Sequence, residues 1–279
     1  HVRGLNLKFY GKVALFTVGS TVLISLLYRF ASNGGAEWMA VALAMTAISF
    51  RTVSHFVPSR GGENRHTLFF VSVVPFVLLV LVTMVHMSRI STMSALLLLS
   101  LIVVFSILGR FLLNLVEDRE GLELLVLGLI VLLSETCAVL GLSPLVVAFF
   151  AGIYLANFSP AGDRTFRSVY ADEKPLTMMF LLLVGMLSGV SGDPEMLFGI
   201  LLIVLATGGV RFLMLEIPYF GMRRFPGVWF LAPGSLAIAI AADNWAMNLP
   251  GESLDWFPAL LLAVMVLQFI SSNAGEEQS

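Results

Sequence analysis

Long apolar runs separated by short polar segments constrain the fold of this 279-residue chain more than any other feature of its sequence. Runs of roughly 16 to 23 residues have the length that a helix needs to cross a hydrocarbon core about 30 Å thick. Composition agrees, because 58% of the residues are hydrophobic, 12% are charged and the mean hydropathy is +0.94. The sequence therefore predicts an all-α membrane protein, with residues 1–279 forming a single transmembrane domain. About ten transmembrane helices are expected, near residues 12–31, 37–57, 67–87, 93–113, 121–140, 143–158, 175–192, 196–217, 227–247 and 256–272.

Positively charged residues predict how these spans are oriented. If the spans alternate in direction, twelve of the sixteen Lys and Arg residues fall on one side of the membrane, and Arg29 and Arg89 fall on the other. The remaining two, Arg51 and Arg211, lie inside spans. Because Lys and Arg accumulate on the cytoplasmic side, we expect both chain ends to be cytoplasmic, in the plasma or inner membrane.

The polar residues give little support to an enzyme or a soluble binding protein. Four histidines and the single Cys137 show no spacing typical of a metal site, and the sequence contains no glycine-rich phosphate loop or nucleophile elbow. No basic run suggests nucleic acid as a partner. We therefore expect no enzymatic activity and no cofactor. The expected partners are the lipid bilayer and either other membrane subunits or a second copy of the chain.

Two of the predicted spans carry residues that a regular membrane helix avoids. In span 227–247, Pro233 and Gly234 favour a break, because proline removes a backbone hydrogen bond and glycine loosens the turn. Span 37–57 contains a polar cluster that includes Ser49, Arg51 and Thr52, whose side chains can satisfy backbone groups freed by unwinding.

The placement of these two spans suggests an internal repeat. One is second from the start and the other is second from the end, which is the arrangement typical of inverted-repeat transporters with a site at the midplane. Two neighbouring spans add mid-span candidates, Pro75 in "FFVSVVPFVLLV" and Arg211 in "LATGGVRFLML". An arginine at membrane depth normally faces protein or a polar cavity, although Arg51 also lies close enough to a span end to reach the interface.

Several segments resemble the cation/proton (sodium/hydrogen) antiporter superfamily. The most specific match is "GLSPLVVAFFAGIYLANF" at residues 141–158, and "GLNLKFYGKVAL", "MMFLLLVGM" and "APGSLAIAIA" agree in order and spacing along the whole chain. The resemblance implies the antiporter fold, with two broken, crossing helices. It also implies that about three N-terminal helices, which usually contribute to the dimer face, are missing from this chain.

The resemblance carries over only part of the family's ion site. The family places an acidic residue on the helix after the first broken one, where this chain has Val73, Val74 and Pro75. Arg211 matches a basic residue that the family normally pairs with that acid. Glu135 resembles an acid found in some electroneutral members. Competition between a proton and a metal cation requires a titratable carboxylate, which valine and proline cannot supply.

These observations leave three functional hypotheses. The first is an antiporter-fold protein with a degenerate site that serves as a non-exchanging binding, assembly or regulatory subunit of a membrane complex. The second is an active transporter of anions, attracted by Arg51, Arg211 and the half-helix start near Ser235. The third is a monovalent cation/proton antiporter that uses Glu135 or an acid from the missing N-terminal part.

Overall fold

The computed structural model describes residues 7–31, 38–48, 62–116, 118–159, 165, 194–216, 233–247 and 256–276. These residues form helices and short connections, without a strand among them. The helices are α1 (Leu7–Ala31), α2 (Trp38–Thr46), α3 (Gly62–Arg89), α4 (Thr92–Leu115), α5 (Arg119–Val139), α6 (Pro144–Phe158), α7 (Pro194–Glu216), α8 (Gly234–Met247) and α9 (Trp256–Glu276). The all-helical class predicted from the sequence is confirmed for this part of the chain. The predicted span 175–192 lies outside the described residues.

The structure divides into two compact units. The first unit contains α1, α2, most of α3, α7, nearly all of α8, and α9. Within it, α1 packs against both α2 and α7, and α7 packs against α9. Helix α1 therefore joins the short α2 to the longer α7, and these three helices hold the polar contacts described below.

The second unit contains the last turns of α3 together with α4, α5 and α6, which pack against one another. Side-chain caps define where these helices begin. Asp118 accepts a hydrogen bond from the backbone N–H of Gly121 at the start of α5, and the buried Ser143 accepts one from Val146 at the start of α6. Each cap satisfies an N–H group that has no partner within its own helix.

Two described helices, α4 and residues Gly121–Val139 of α5, are long and apolar enough to cross a membrane. Many apolar side chains of these two helices are exposed at the surface of the protein. Leu124, Val131 and Val139, for example, are exposed by 71%, 67% and 77%. A soluble protein rarely exposes so much contiguous apolar surface, so this exposure supports a membrane location.

Candidate functional site

Helix α2 ends earlier than the sequence predicts. The predicted span runs to residue 57, whereas the helix ends at Thr46 and is followed by the non-helical Ala47 and Ile48. All residues from 41 to 48 are buried. A helix that is apolar and buried on every side belongs to the interior of its unit, so α2 ends inside the protein and not at its surface.

The early end of α2 leaves backbone carbonyl groups that need hydrogen-bond donors. The last four carbonyl groups of any helix lack intrahelical partners. The N–H of Ala47 turns back to the carbonyl oxygen of Ala44 at 3.2 Å, a tighter turn that satisfies one of them. The side chain of Thr46 donates to the carbonyl oxygen of Ala42 at 2.7 Å. The carbonyl oxygens of Met45 and Ala47 require donors from elsewhere, because the main chain has already left the helix.

Arg211 supplies those donors from α7. Its Nη2 amino group donates to the carbonyl oxygen of Met45 and to that of Ala47, which uses both hydrogens of that nitrogen. The side chain is 1% exposed, the largest among the fully buried residues of the described part. The guanidinium therefore binds the C-terminal end of α2, where the helix dipole places partial negative charge and favours a cation.

Hydroxyl groups on α1 and α2 lie beside the contact between Arg211 and the end of α2. Oγ1 of Thr21 is 3.0 Å from Oγ1 of Thr46 and 2.8 Å from the carbonyl oxygen of Thr17, so its single hydrogen is shared between two acceptors. All three threonines are buried. The last residue of α2 is thus held by α1 through a side-chain contact, while the carbonyl groups around it are held by α7.

The second predicted break lies at the start of α8, and residues 217–232, which precede it, lie outside the described part of the chain. Pro233 is not helical, and α8 begins at Gly234, whose φ of +73° lies in the left-handed region that glycine adopts without strain. Both residues are buried. A regular helix therefore does not pass through Pro233 and Gly234, as their chemistry predicts.

The structure describes four of the seven predicted site residues. Arg211 is buried as described, and Pro75 is half-buried within α3, which continues as a helix from Gly62 to Arg89. Ser235 is exposed in the first turn of α8, and Glu135 is exposed on α5, in the second unit. The other three, Ser49, Arg51 and Thr52, lie outside the described residues.

The position that the resemblance assigns to an acid is apolar in structure as well as in sequence. Val74 on α3 is fully buried, and Val73 and Pro75 on either side of it are half-buried. A buried valine offers neither a titratable proton nor an oxygen ligand. The described residues contain no group of three or more His, Cys, Asp or Glu that could hold a metal ion.

The sequence did not reveal the acceptors that Arg211 uses. Met45 and Ala47 act through backbone oxygens, which every residue has, so no side-chain pattern marks them. The small polar residues Thr17 and Thr21, one helical turn apart on α1, are a weak sequence signal for polar contacts inside the helical bundle.

Comparisons with known proteins add no relative. No protein-family model matches the chain, and neither the curated proteins nor the solved structures provide a match.

Proposed function

We propose that this chain is the membrane-spanning part of an antiporter-fold protein that does not exchange cations for protons and that serves as a binding, assembly or regulatory subunit of a membrane complex. The fold proposed is the inverted-repeat arrangement of about ten transmembrane helices. Its two broken helices are the predicted spans 37–57 and 227–247, of which the structure describes α2 and α8.

The observation that carries this proposal is the buried, apolar Val74 on α3, at the position where the resemblance places the exchange acid. A valine side chain has neither a titratable proton nor an oxygen ligand, so this position cannot bind a proton and a cation in turn. Arg211, which matches the basic residue that the family pairs with that acid, donates from Nη2 to the carbonyl oxygens of Met45 and Ala47.

The contacts of Arg211 Nη2 weigh against an anion that binds through this nitrogen. Such an anion would compete with two backbone carbonyl groups for the hydrogens of Nη2. Displacing the guanidinium would leave those carbonyl groups buried without donors, at a cost of about 1–3 kcal/mol each. Glu135, the acid of the third hypothesis, is exposed on α5 and is not buried as Arg211 is.

Reconstitution in sealed vesicles tests the proposal. The full-length protein is placed in vesicles that contain a pH-sensitive dye, and an inward gradient of Na⁺ or K⁺ is imposed. We expect the internal pH to follow that of protein-free vesicles. An added ionophore that exchanges K⁺ for H⁺ then verifies that the vesicles are sealed. Saturable proton movement driven by either cation would reject the proposal.

A second measurement addresses the subunit role directly. The protein is extracted from its native membrane in a mild detergent, and the mass of the particle is measured. We expect a stoichiometric complex with other membrane proteins. A particle that contains this chain alone, as a monomer or a homodimer, would contradict the assembly role even if no exchange is observed.

A further inference from the structure

An exposed arginine on α4 and a tyrosine on α6 form a polar patch on the second unit. Nη1 of Arg110 donates to the hydroxyl oxygen of Tyr154 at 3.3 Å. Near the C-terminal ends of the same two helices, Oγ of Ser159 donates to Oδ1 of Asn114 at 3.5 Å. We refer to these four residues as the Arg110 patch. None of them belongs to the candidate ion-site residues or to the contact between Arg211 and the end of α2.

Three contacts fix how α4 and α6 run past each other. The side chain of Leu155 would lie 3.2 Å from a Cβ at Gly109, Arg110 meets Tyr154, and Asn114 meets Ser159. The sequence separations in these pairs are 46, 44 and 45 residues, which stay nearly constant along the chain. Helices α4 and α6 are therefore parallel, and the Arg110 patch lies at the end where both of them terminate.

The surroundings of Arg110 are apolar and exposed. Ile107 and Phe111 on α4 are exposed by 58% and 62%, and Phe158 at the end of α6 is exposed by 61%. Arg110 lies five residues before the end of α4, which is about 7.5 Å along the helix axis. In a membrane these apolar side chains contact acyl chains, and the guanidinium lies within reach of the headgroup layer through its flexible stem.

The chemistry of the patch matches an anionic phospholipid. Arginine presents several N–H donors in a planar fork that fits a phosphate group, and one of them is bound to Tyr154. The hydroxyl of Tyr154 and the amide of Asn114 offer further hydrogen bonds to a headgroup. Tyrosine at the end of a membrane helix is a common anchor at the interface between lipid and water.

We infer that the Arg110 patch binds the phosphate headgroup of an anionic phospholipid, whose acyl chains lie along the exposed apolar side chains of α4 and α6. The guanidinium neutralises the phosphate charge at the level where the apolar surface ends. This site is independent of the proposed function, because it requires neither the antiporter fold nor the absence of ion exchange.

Lipid titration of the purified full-length protein tests this inference. Binding of phosphatidylglycerol and of phosphatidylcholine is measured by native mass spectrometry in detergent, and the melting midpoint is followed in parallel. For Arg110→Gln we expect about a fivefold weaker apparent affinity for phosphatidylglycerol, the factor that corresponds to about 1 kcal/mol per basic side chain near a lipid surface. Binding of phosphatidylcholine should not change.

Matched variants separate this site from general effects of charge. Arg29→Gln removes the same charge from another exposed arginine, at the end of α1, and should bind phosphatidylglycerol like the unaltered protein. Tyr154→Phe keeps the ring and should give a smaller loss than Arg110→Gln. If Arg110→Gln does not fold, Arg110→Lys, which keeps the charge without the planar fork, should give an intermediate loss.

Three results would overturn the inference. The first is an equal affinity for phosphatidylglycerol in Arg110→Gln and Arg29→Gln. The second is displacement of the lipid by inorganic phosphate at millimolar concentration, which would assign the patch to a soluble anion. The third is a loss of self-association in Arg110→Gln at unchanged lipid occupancy, which would assign the patch to a second copy of the chain.

Discussion

Replacing Arg211 by methionine tests whether this side chain holds the end of α2. Methionine occupies similar space but donates no hydrogen bond, so the carbonyl oxygens of Met45 and Ala47 lose both hydrogens of Nη2. Two orphaned acceptors cost about 2–6 kcal/mol, at about 1–3 kcal/mol each. Removing a buried cation returns part of that cost, because the guanidinium no longer has to be desolvated. We expect a net destabilisation of about 2 kcal/mol.

Global unfolding and hydrogen exchange measure this effect together. The melting midpoint of Arg211→Met in detergent should fall by at least roughly 4 °C, at about 2 °C or more per kcal/mol. The amides of residues 41–48 should exchange faster, while those of α4 in the second unit should keep their protection. Arg211→Lys keeps a cation and its donors on a shorter side chain. Its melting midpoint should lie between those of the unaltered protein and Arg211→Met. The control Arg29→Met removes an exposed arginine and should change both readouts less than Arg211→Met does.

An equal or higher stability of Arg211→Met would refute the reasoning. That result would mean that burying the guanidinium costs more than its two hydrogen bonds return. Arg211 would then be retained for another reason, such as contact with a transported ion. Unchanged exchange at residues 41–48 would refute the local part of the argument, even if the global stability fell.

Two further predictions concern the packing within each unit. Thr46→Val removes the hydroxyl that contacts Thr21 at 3.0 Å and should destabilise the protein by about 1 kcal/mol, with a double-mutant cycle against Thr21→Val showing coupling between the two sites. Gly109→Leu should cost about 1–3 kcal/mol, because even a Cβ at that position would lie 3.2 Å from the side chain of Leu155. Gly128→Leu is its control and should be tolerated, since a Cβ at Gly128 meets nothing within 4 Å; equal losses in the two leucine variants would contradict the close approach of α4 and α6.

Local chemistry made several helix boundaries predictable from the sequence. The predicted spans 93–113 and 121–140 correspond closely to α4 and α5, whose N-terminal ends are capped by the polar side chains of Ser91 and Asp118. The predicted break in span 227–247 coincides with the start of α8, because Gly234 can adopt a positive φ and Pro233 cannot continue a helix into it. Each of these boundaries depends on residues within a few positions of it.

The end of α2 could not be predicted in the same way. Its residues "WMAVALAMT" continue into the largely apolar "AISF", so the local pattern favours a helix that reaches the polar cluster near Arg51 before it unwinds. Arg211 stabilises the end, and it lies 166 residues away from Met45 along the chain. The sequence marked Arg211 as a site residue but suggested a carboxylate or an anion as its partner. A backbone carbonyl has no sequence signature, which is why the partners of Arg211 emerged only from the fold.

Tracer counterflow tests the central claim most directly, since it detects cation exchange whether or not protons are coupled to it. Vesicles containing the full-length protein are loaded with unlabelled Na⁺ or K⁺, and the uptake of a radioactive trace of Na⁺, or of Rb⁺ in place of K⁺, is followed from outside. We expect uptake no faster than into protein-free vesicles. Saturable accumulation of either tracer, abolished by excess unlabelled cation outside, would contradict it.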